Sequence, residues 1–334
     1  MSGDFVWRDA GRTVVFRRRG IAQAPQLLGE HGFGGFALLA TARSLSGAGR
    51  LHDAAARVHE VAPGGVPELA AALLDGTGEG PLVALGGGRV IDAAKAVAAV
   101  TGAAVAAIPT TMSGAEMTGI HRLPAGAESR ARSLVRPSLV VAEPEAMTSQ
   151  PEPALRASSM NALAHGIDSL CTPFANPVSV MTALRGAELI ASALDQDREG
   201  REASNLALGS VLCGYAIDSG SFSIHHVVCQ TLVRVCGSPH AETNAAILPR
   251  SAALLASRAP DRLAVLAESL GTDLGELEPR ILELGSYPPG LGATGADRGK
   301  LDEALEAMLA RPELAFMPGP PDRAELAELI ESSW

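Results

Sequence analysis

Two short runs in the first half of the chain constrain its fold more than anything else. Residues 81–88 read PLVALGGG and residues 103–111 read AAVAAIPTT, apolar at almost every position until glycine or Pro-Thr-Thr ends them. A strand that alternates apolar and polar side chains has one wet face, whereas a strand apolar throughout has none. Such strands belong in a parallel sheet covered by helices on both sides. GFALLATA at 35–42 and SLVVAEPEAM at 138–147 repeat the pattern, and RVIDAAKAVAAVTG at 89–102 supplies a helical spacing between strands. LHDAAARVHEVAPGGVPELAAALL at 51–74 reads as helical periodicity across a Pro/Gly break. The expectation is an α/β, Rossmann-like domain over residues 1–150 built from βαβ units.

After Pro151 the strand signals stop. Segments such as PEPALRASSMNALAHGIDSL, PVSVMTALRGAELIASALDQ and EASNLALGSVLCGYAIDSG carry helical spacing, and further helices are expected at 250–258, 260–285, 298–311 and 322–333. Residues 151–334 therefore read as an all-helical domain. The turn chemistry of EPEAMTSQPEP marks the boundary near 145–152. The stretch ARPELAFMPGPPDR reads as a Pro-rich connection before the final helix.

The core has to be built from Ala, Leu and Val, because 47% of the residues are hydrophobic but only 3% are aromatic. A net charge of −10 argues against nucleic acid or an anionic membrane as partner. Cys171, Cys213, Cys229 and Cys236 form no CxxC pair and read as small buried hydrophobes in a reducing compartment. MSGDFVWRDAGR has no apolar signal core, and no stretch has the length of an uncharged membrane span. These readings lead to the expectation of a soluble, cytoplasmic protein acting on a small molecule.

Candidate chemistry falls in three places. Gly86, Gly87 and Gly88 stand between a buried strand and a helix, where backbone can approach a phosphate at the helix N-terminus, or where a turn merely needs glycine. Lys95, two turns on, reads as a phosphate contact or as a solvated side chain. Thr110, Thr111 and Ser113 supply hydroxyls at the carboxyl end of the next strand, where parallel sheets hold ligands. In the helical half, Asn161 and His165 are four apart and share a helix face. They are either satisfied core polars or the edge of a metal site. His225 and His226 open a later helix and His240 follows Pro239; neutral imidazoles ligate metals, but no carboxylate accompanies them.

These motifs, taken in order, resemble the iron-containing (group III) alcohol dehydrogenase superfamily, and within it the maleylacetate reductases. The resemblance rests on LGGG at 85–88 with IDAAK at 91–95, PTTMSGAEMT at 109–118, SSMNALAHGIDSL at 158–170, FANPV at 174–178, HHVVCQ at 225–230 and PHAETNAAILP at 239–249. It implies the dehydroquinate synthase-like fold of that superfamily, with the active site in the cleft between a dinucleotide domain and a helical domain. It also implies hydride transfer from NADH or NADPH and a homodimer. Gly86, Gly87, Gly88 and Arg89 would border the pyrophosphate, and Thr110, Thr111 and Ser113 would line the cofactor site.

In the metal-dependent members one aspartate and three histidines hold the ion. The matching positions here are Asn161, His165, His226 and His240. The amide at Asn161 removes the anionic ligand, as in maleylacetate reductases, so no tightly bound metal is expected. The same four residues are then the catalytic candidates, with partly protonated histidines donating to the enolate formed when hydride reaches an enone.

Four departures from the family pattern stand out. Arg89 replaces a serine; Gln230 replaces a histidine four residues after His226; Leu232-Val233-Arg234 replaces Leu-Gly-Gly; and FRRRG at 16–20 replaces a glycine turn. Gln230 and Arg234 become substrate-side candidates, with Arg234 available to a substrate carboxylate. Two functions follow: a reductase of the maleylacetate reductase type with an altered substrate, or a scaffold repurposed for non-redox cyclisation, dehydration or isomerisation in biosynthesis.

Overall fold

The computed structural model describes residues 11–334, so the reading of the first ten residues lies outside the described part. Its contacts divide it into two units, one ending at Ser149 and the other beginning at Gln150. No helix among the described residues is long and apolar enough to cross a membrane.

The first unit is a six-stranded, fully parallel sheet. Its strands are β1 (Thr13–Phe16), β2 (Ala37–Ala40), β3 (Arg57–Glu60), β4 (Leu82–Gly86), β5 (Val105–Pro109) and β6 (Leu139–Ala142). Helices α1 (Gly20–Glu30), α2 (Ala42–Ser46), α3 (Arg50–Ala54), α4 (Val66–Leu73), α5 (Gly88–Thr101) and α6 (Pro144–Met147) connect them. Successive strand residues point to opposite faces. Leu38, Val83, Leu85 and Ile108 accordingly pack with α1, while Leu39, Leu82, Ala84 and Ala107 pack with α5. Both faces are covered, which is why β2, β4, β5 and β6 are apolar throughout.

The strand order is β1-β6-β5-β4-β2-β3. From β2 the chain moves to β3 at one edge; from β4 it moves through β5 and β6 toward the other. The direction reverses between β2 and β4, which are hydrogen-bonded neighbours with Ala40 opposite Leu85. In open parallel sheets, ligands bind outside the carboxyl ends of strands at such a reversal. The Gly86–Gly88 loop leaves β4 there.

Two strands depart from the sequence reading, and both are edge strands. Residues 57–60 form β3 inside the stretch read as helical, and β1 carried no strand expectation. Each is only half covered, so neither shows the uniform apolar signature.

The second unit is helical: α7 (Glu152–Leu170), α8 (Pro177–Leu194), α9 (Ala203–Gly220), α10 (Ile224–Val235), α11 (His240–Arg258), α12 (Pro260–Ser269), α13 (Leu277–Leu284), α14 (Leu301–Leu309) and α15 (Arg323–Glu331). The helix expected over 260–285 is broken at Gly271, whose φ of +75° ends α12. α7 is buried on all sides from Ala157 to Leu170 and runs through the middle of the unit. It packs against α8, α9, α10 and α11. Gly186 and Gly209 let α8 and α9 approach closely; a Cβ on Gly209 would sit 2.8 Å from the Gly186 carbonyl oxygen.

Candidate active site

In the sheet unit, the two ligand-loop candidates interlock. A Cβ on Gly87 would lie 3.0 Å from Thr111 Cγ2, and one on Gly88 would lie 2.9 Å from Ser113 Cβ. The β4–α5 and β5 loops are thus pressed together at a spacing only glycine permits. Gly87 is the N-cap of α5 and offers no side chain to its first-turn N–H groups, and no acidic residue stands in that turn. A fourteen-residue helix with an uncapped start directs its partial positive charge at an anion. Arg89 occupies the second position of α5 and is exposed. A cation in the first turn is unfavourable by itself, so its presence adds to the case for a bound phosphate. Thr110, Thr111 and Ser113 are half-buried. These residues fit a pyrophosphate by donor type and by close backbone approach.

Lys95 corrects both sequence readings. It is fully buried, and its Nζ donates to Asp92 Oδ1 at 2.8 Å, Ala115 O at 3.0 Å and Ile120 O at 2.9 Å. The ammonium is therefore neither a phosphate ligand nor a solvated group. It ties α5 to the segment that follows Ser113. Beside it, Glu116 is also fully buried, and neither carboxyl oxygen has a hydrogen-bond partner. Burial pushes the Glu116 carboxyl up to about 7 despite the nearby Lys95. Arg17, Arg18 and Arg19 of the altered turn are exposed, with Arg19 at a positive φ of 56°.

In the helical unit, Asn161 and His165 lie one turn apart on α7, both buried. The His165 ring stacks on that of His226 from α10, with centroids 5.0 Å apart and planes 19° from parallel. The tandem histidines take different roles. His225 is enclosed, with Nδ1 2.8 Å from Ser251 Oγ and Nε2 2.9 Å from Asn244 Oδ1. Both ring nitrogens are satisfied, so His225 is a structural residue. His226 instead hydrogen-bonds through Nδ1 to Asp168 Oδ2 at 2.9 Å, and its buried Nε2 has no partner. His240 stands at the first position of α11 and is exposed.

Asp168 is the residue that sequence reasoning passed over. It sits on α7 three positions after His165, fully buried. It accepts from the Ser223 hydroxyl, from the Ser223 and His226 backbone N–H groups at 2.9 and 3.2 Å, and from the His226 ring. Burial alone would raise this carboxyl, but the His226 hydrogen bond and charge carry it down to about 2. The signal available in sequence was a carboxylate within an otherwise apolar helix, on the same face as His165.

Burial, followed by repulsion from His226, His240 and His225, pushes the His165 imidazole well below the ordinary histidine range. This favours the neutral form of the His165 ring. The donor set also bears on metal. Asp168, the carboxylate beside the rings, is already engaged by four donors, and the remaining candidates are imidazoles and an amide. Among the described residues no three His, Cys, Asp or Glu side chains are grouped to hold an ion.

Gln230 lies one turn beyond His226 on α10, half-buried, and its Oε1 accepts from Arg311 Nη2 at 3.2 Å. Arg311 comes from the Pro-rich connection after α14 and was not a candidate in the sequence. Arg234, which was, is exposed in the last turn of α10.

Comparison with known proteins places this geometry. The C-terminal model of the Fe-containing alcohol dehydrogenase family matches residues 156–284. The chain is 31% identical to the maleylacetate reductase of Rhizobium sp. (strain MTP-10005), over 99% of its own length and 97% of that protein's. It is also 31% identical to maleylacetate reductase 1 of Rhodococcus opacus, over 80% of this chain and 77% of the relative. The crystal structure of maleylacetate reductase from Agrobacterium tumefaciens superposes with a TM-score of 0.86 at 28% identity, covering 100% of this chain and 99% of that one. The sheet order, the glycine loop and the histidine-bearing helices have the same explanation: the chain belongs to the iron-containing alcohol dehydrogenase family, on its maleylacetate reductase branch.

Proposed function

We propose that this chain is an NAD(P)H-dependent reductase of the maleylacetate reductase type, reducing an enone or carbonyl of a small, carboxylated substrate. The observation that carries the reading is the Asp168–His226 pair, whose free Nε2 is buried beside a neutral His165. Bound at the β4–α5 loop, NADH or NADPH supplies the hydride. Hydride addition to a carbon–carbon double bond conjugated with a ketone moves an electron pair to the carbonyl oxygen, forming an enolate. Asp168 holds the Nδ1–H of His226, so any proton gained by that ring goes to Nε2 and is balanced by the carboxylate behind it. From there it can be passed to the reduced substrate. His165, being neutral, donates an N–H to developing negative charge without drawing an anion into the ground state.

The end of β2, which neighbours β4 at the strand reversal, carries Thr41 and Arg43 and no carboxylate from residue 41 to 52. An acidic residue there would repel the 2′-phosphate of NADPH. Both cofactors are therefore expected to bind. The four free, buried cysteines fit a reducing, cytoplasmic setting. A homodimer acting on a small molecule completes the reading, and light scattering checks the assembly.

The repurposed non-redox function is not favoured, since the relatives found by sequence and by structure are reductases. The test is direct. NADH and NADPH are titrated by fluorescence, and absorbance is followed with maleylacetate as substrate. Cofactor binding with maleylacetate-dependent oxidation is expected; no binding of either dinucleotide would remove the proposal.

A further inference from the structure

Arg311 is a guanidinium brought to the histidine helix by a connection that looks featureless in sequence. Its Nε and Nη2 edge is held by Glu313, at 2.9 Å and 3.1 Å, and Nη2 also reaches Gln230 Oε1 at 3.2 Å. Its Cζ lies 5.9 Å from the centre of the Phe222 ring, and Phe222 in turn lies 5.8 Å from His226. The side chain is about one-fifth exposed. Among the described residues Nη1 has no hydrogen-bond partner. The guanidinium is braced along its Nε–Nη2 edge, which leaves Nη1 to be presented.

Gln230 and His226 are one helical turn apart, a separation of roughly 5–6 Å. Arg311 thus reaches α10 one turn from His226, with the Phe222 ring within 5.9 Å of each of them. A charged N–H donor fixed in this way suits a carboxylate, with a direction that a flexible ammonium lacks. Arg234, the earlier candidate, lies a further turn along α10 and is exposed.

We propose that Arg311 is the carboxylate-reading residue of the substrate site, with Glu313, Gln230 and Phe222 holding its Nη1 toward an oxo-acid whose reacting end lies at His226. This rests on the reductase reading above and assigns its substrate specificity to one side chain.

The test uses the full chain and two readouts. Maleate, a dicarboxylate that cannot turn over, is titrated calorimetrically, and maleylacetate reduction is measured with NADH. In Arg311→Met, which keeps the stem against Phe222, the Kd for maleate and the KM for maleylacetate are both expected to rise roughly 10- to 100-fold. kcat should change far less, and the Kd for NADH should not change. Arg311→Lys should restore only part of the loss, since it returns the charge without the fixed direction. Because Arg311→Met strands the Glu313 carboxylate, an Arg311→Met/Glu313→Gln double variant is measured beside it and should show the same loss. Wild-type maleate affinity and KM in Arg311→Met, or the loss appearing in Arg234→Met instead, would overturn the assignment. Arg311-dependent maleate binding without any NADH oxidation would leave the carboxylate site standing and defeat the reductase reading. Undiminished reduction by Arg311→Met would do the reverse.

Discussion

Glu116 offers a sharp test of the electrostatics beneath the cofactor loop. Its carboxyl is fully buried, both oxygens lack partners, and burial raises it from 4.5 to about 7. The charged groups acting on it are Lys95, Asp92 and Arg12. A folded-state pKa above the unfolded value means that the folded protein holds the extra proton. The associated stability is fully present below about 4.5 and is lost as pH rises through about 7. A shift of this size corresponds to about 3 kcal/mol, a large fraction of a domain's net stability of roughly 5–15 kcal/mol. Glu116→Gln keeps the shape and cannot ionise. Its amide is also left unsatisfied, but that cost is the same at every pH and cancels from the slope. Scanning calorimetry from pH 5 to pH 9 should show the sheet unit of the wild type losing about 3 kcal/mol relative to the variant. For a unit of this size the loss amounts to roughly 10 °C in Tm. Parallel pH profiles for the two proteins would refute the reasoning, because a buried, unpartnered carboxyl cannot be pH-silent across that window.

Two further outcomes follow from the site. Asp168→Asn should lower kcat roughly 10²- to 10⁴-fold while leaving NADH affinity intact, because an amide cannot hold the His226 ring and balance its proton. Since Asp168 is carried below its ordinary value of 3.8 to about 2, its contribution is present above pH 4 and lost as pH falls toward 2. The variant should therefore lack that part of the acid-unfolding profile in circular dichroism. Gly88→Ala places a methyl group 2.9 Å from Ser113 Cβ and should weaken NADH binding at least tenfold in a fluorescence titration, with the helical unit's thermal transition unmoved.

What the sequence disclosed depended on how completely each segment is covered. The central strands were legible because β2, β4, β5 and β6 are buried on both faces. The edge strands β1 and β3 hid because a half-wet strand of four residues has no pattern distinct from a helix turn. The alternation of strands and helices, then helices alone, was enough for the fold class. At the site, glycines and histidines announce themselves by type. Lys95 was misread because a lysine on a helix is solvated by default; Asp92 on the same helix and two carbonyl oxygens after β5 made burial possible. Arg311 could not be found from sequence at all. Its place beside Gln230 is a tertiary contact across 81 positions, and nothing near it in the chain marks it.

Asn161 acquires its meaning from Asp168. A cluster of imidazoles can serve a cation or an anion, and the surrounding carboxylates decide which. The carboxylate beside these rings is turned toward His226 and Ser223 and is fully occupied there. At Asn161 the same helix contributes a buried, neutral amide. Burial first, and then repulsion from the neighbouring histidines, lowers the His165 imidazole, with Asp168 acting in the other direction. An oxyanion formed during reduction faces a neutral donor at His165 and a ring at His226 whose added proton is already balanced from behind. On the proposed reductase reading, a neutral amide at Asn161 leaves this cluster suited to receiving the negative charge that reduction develops.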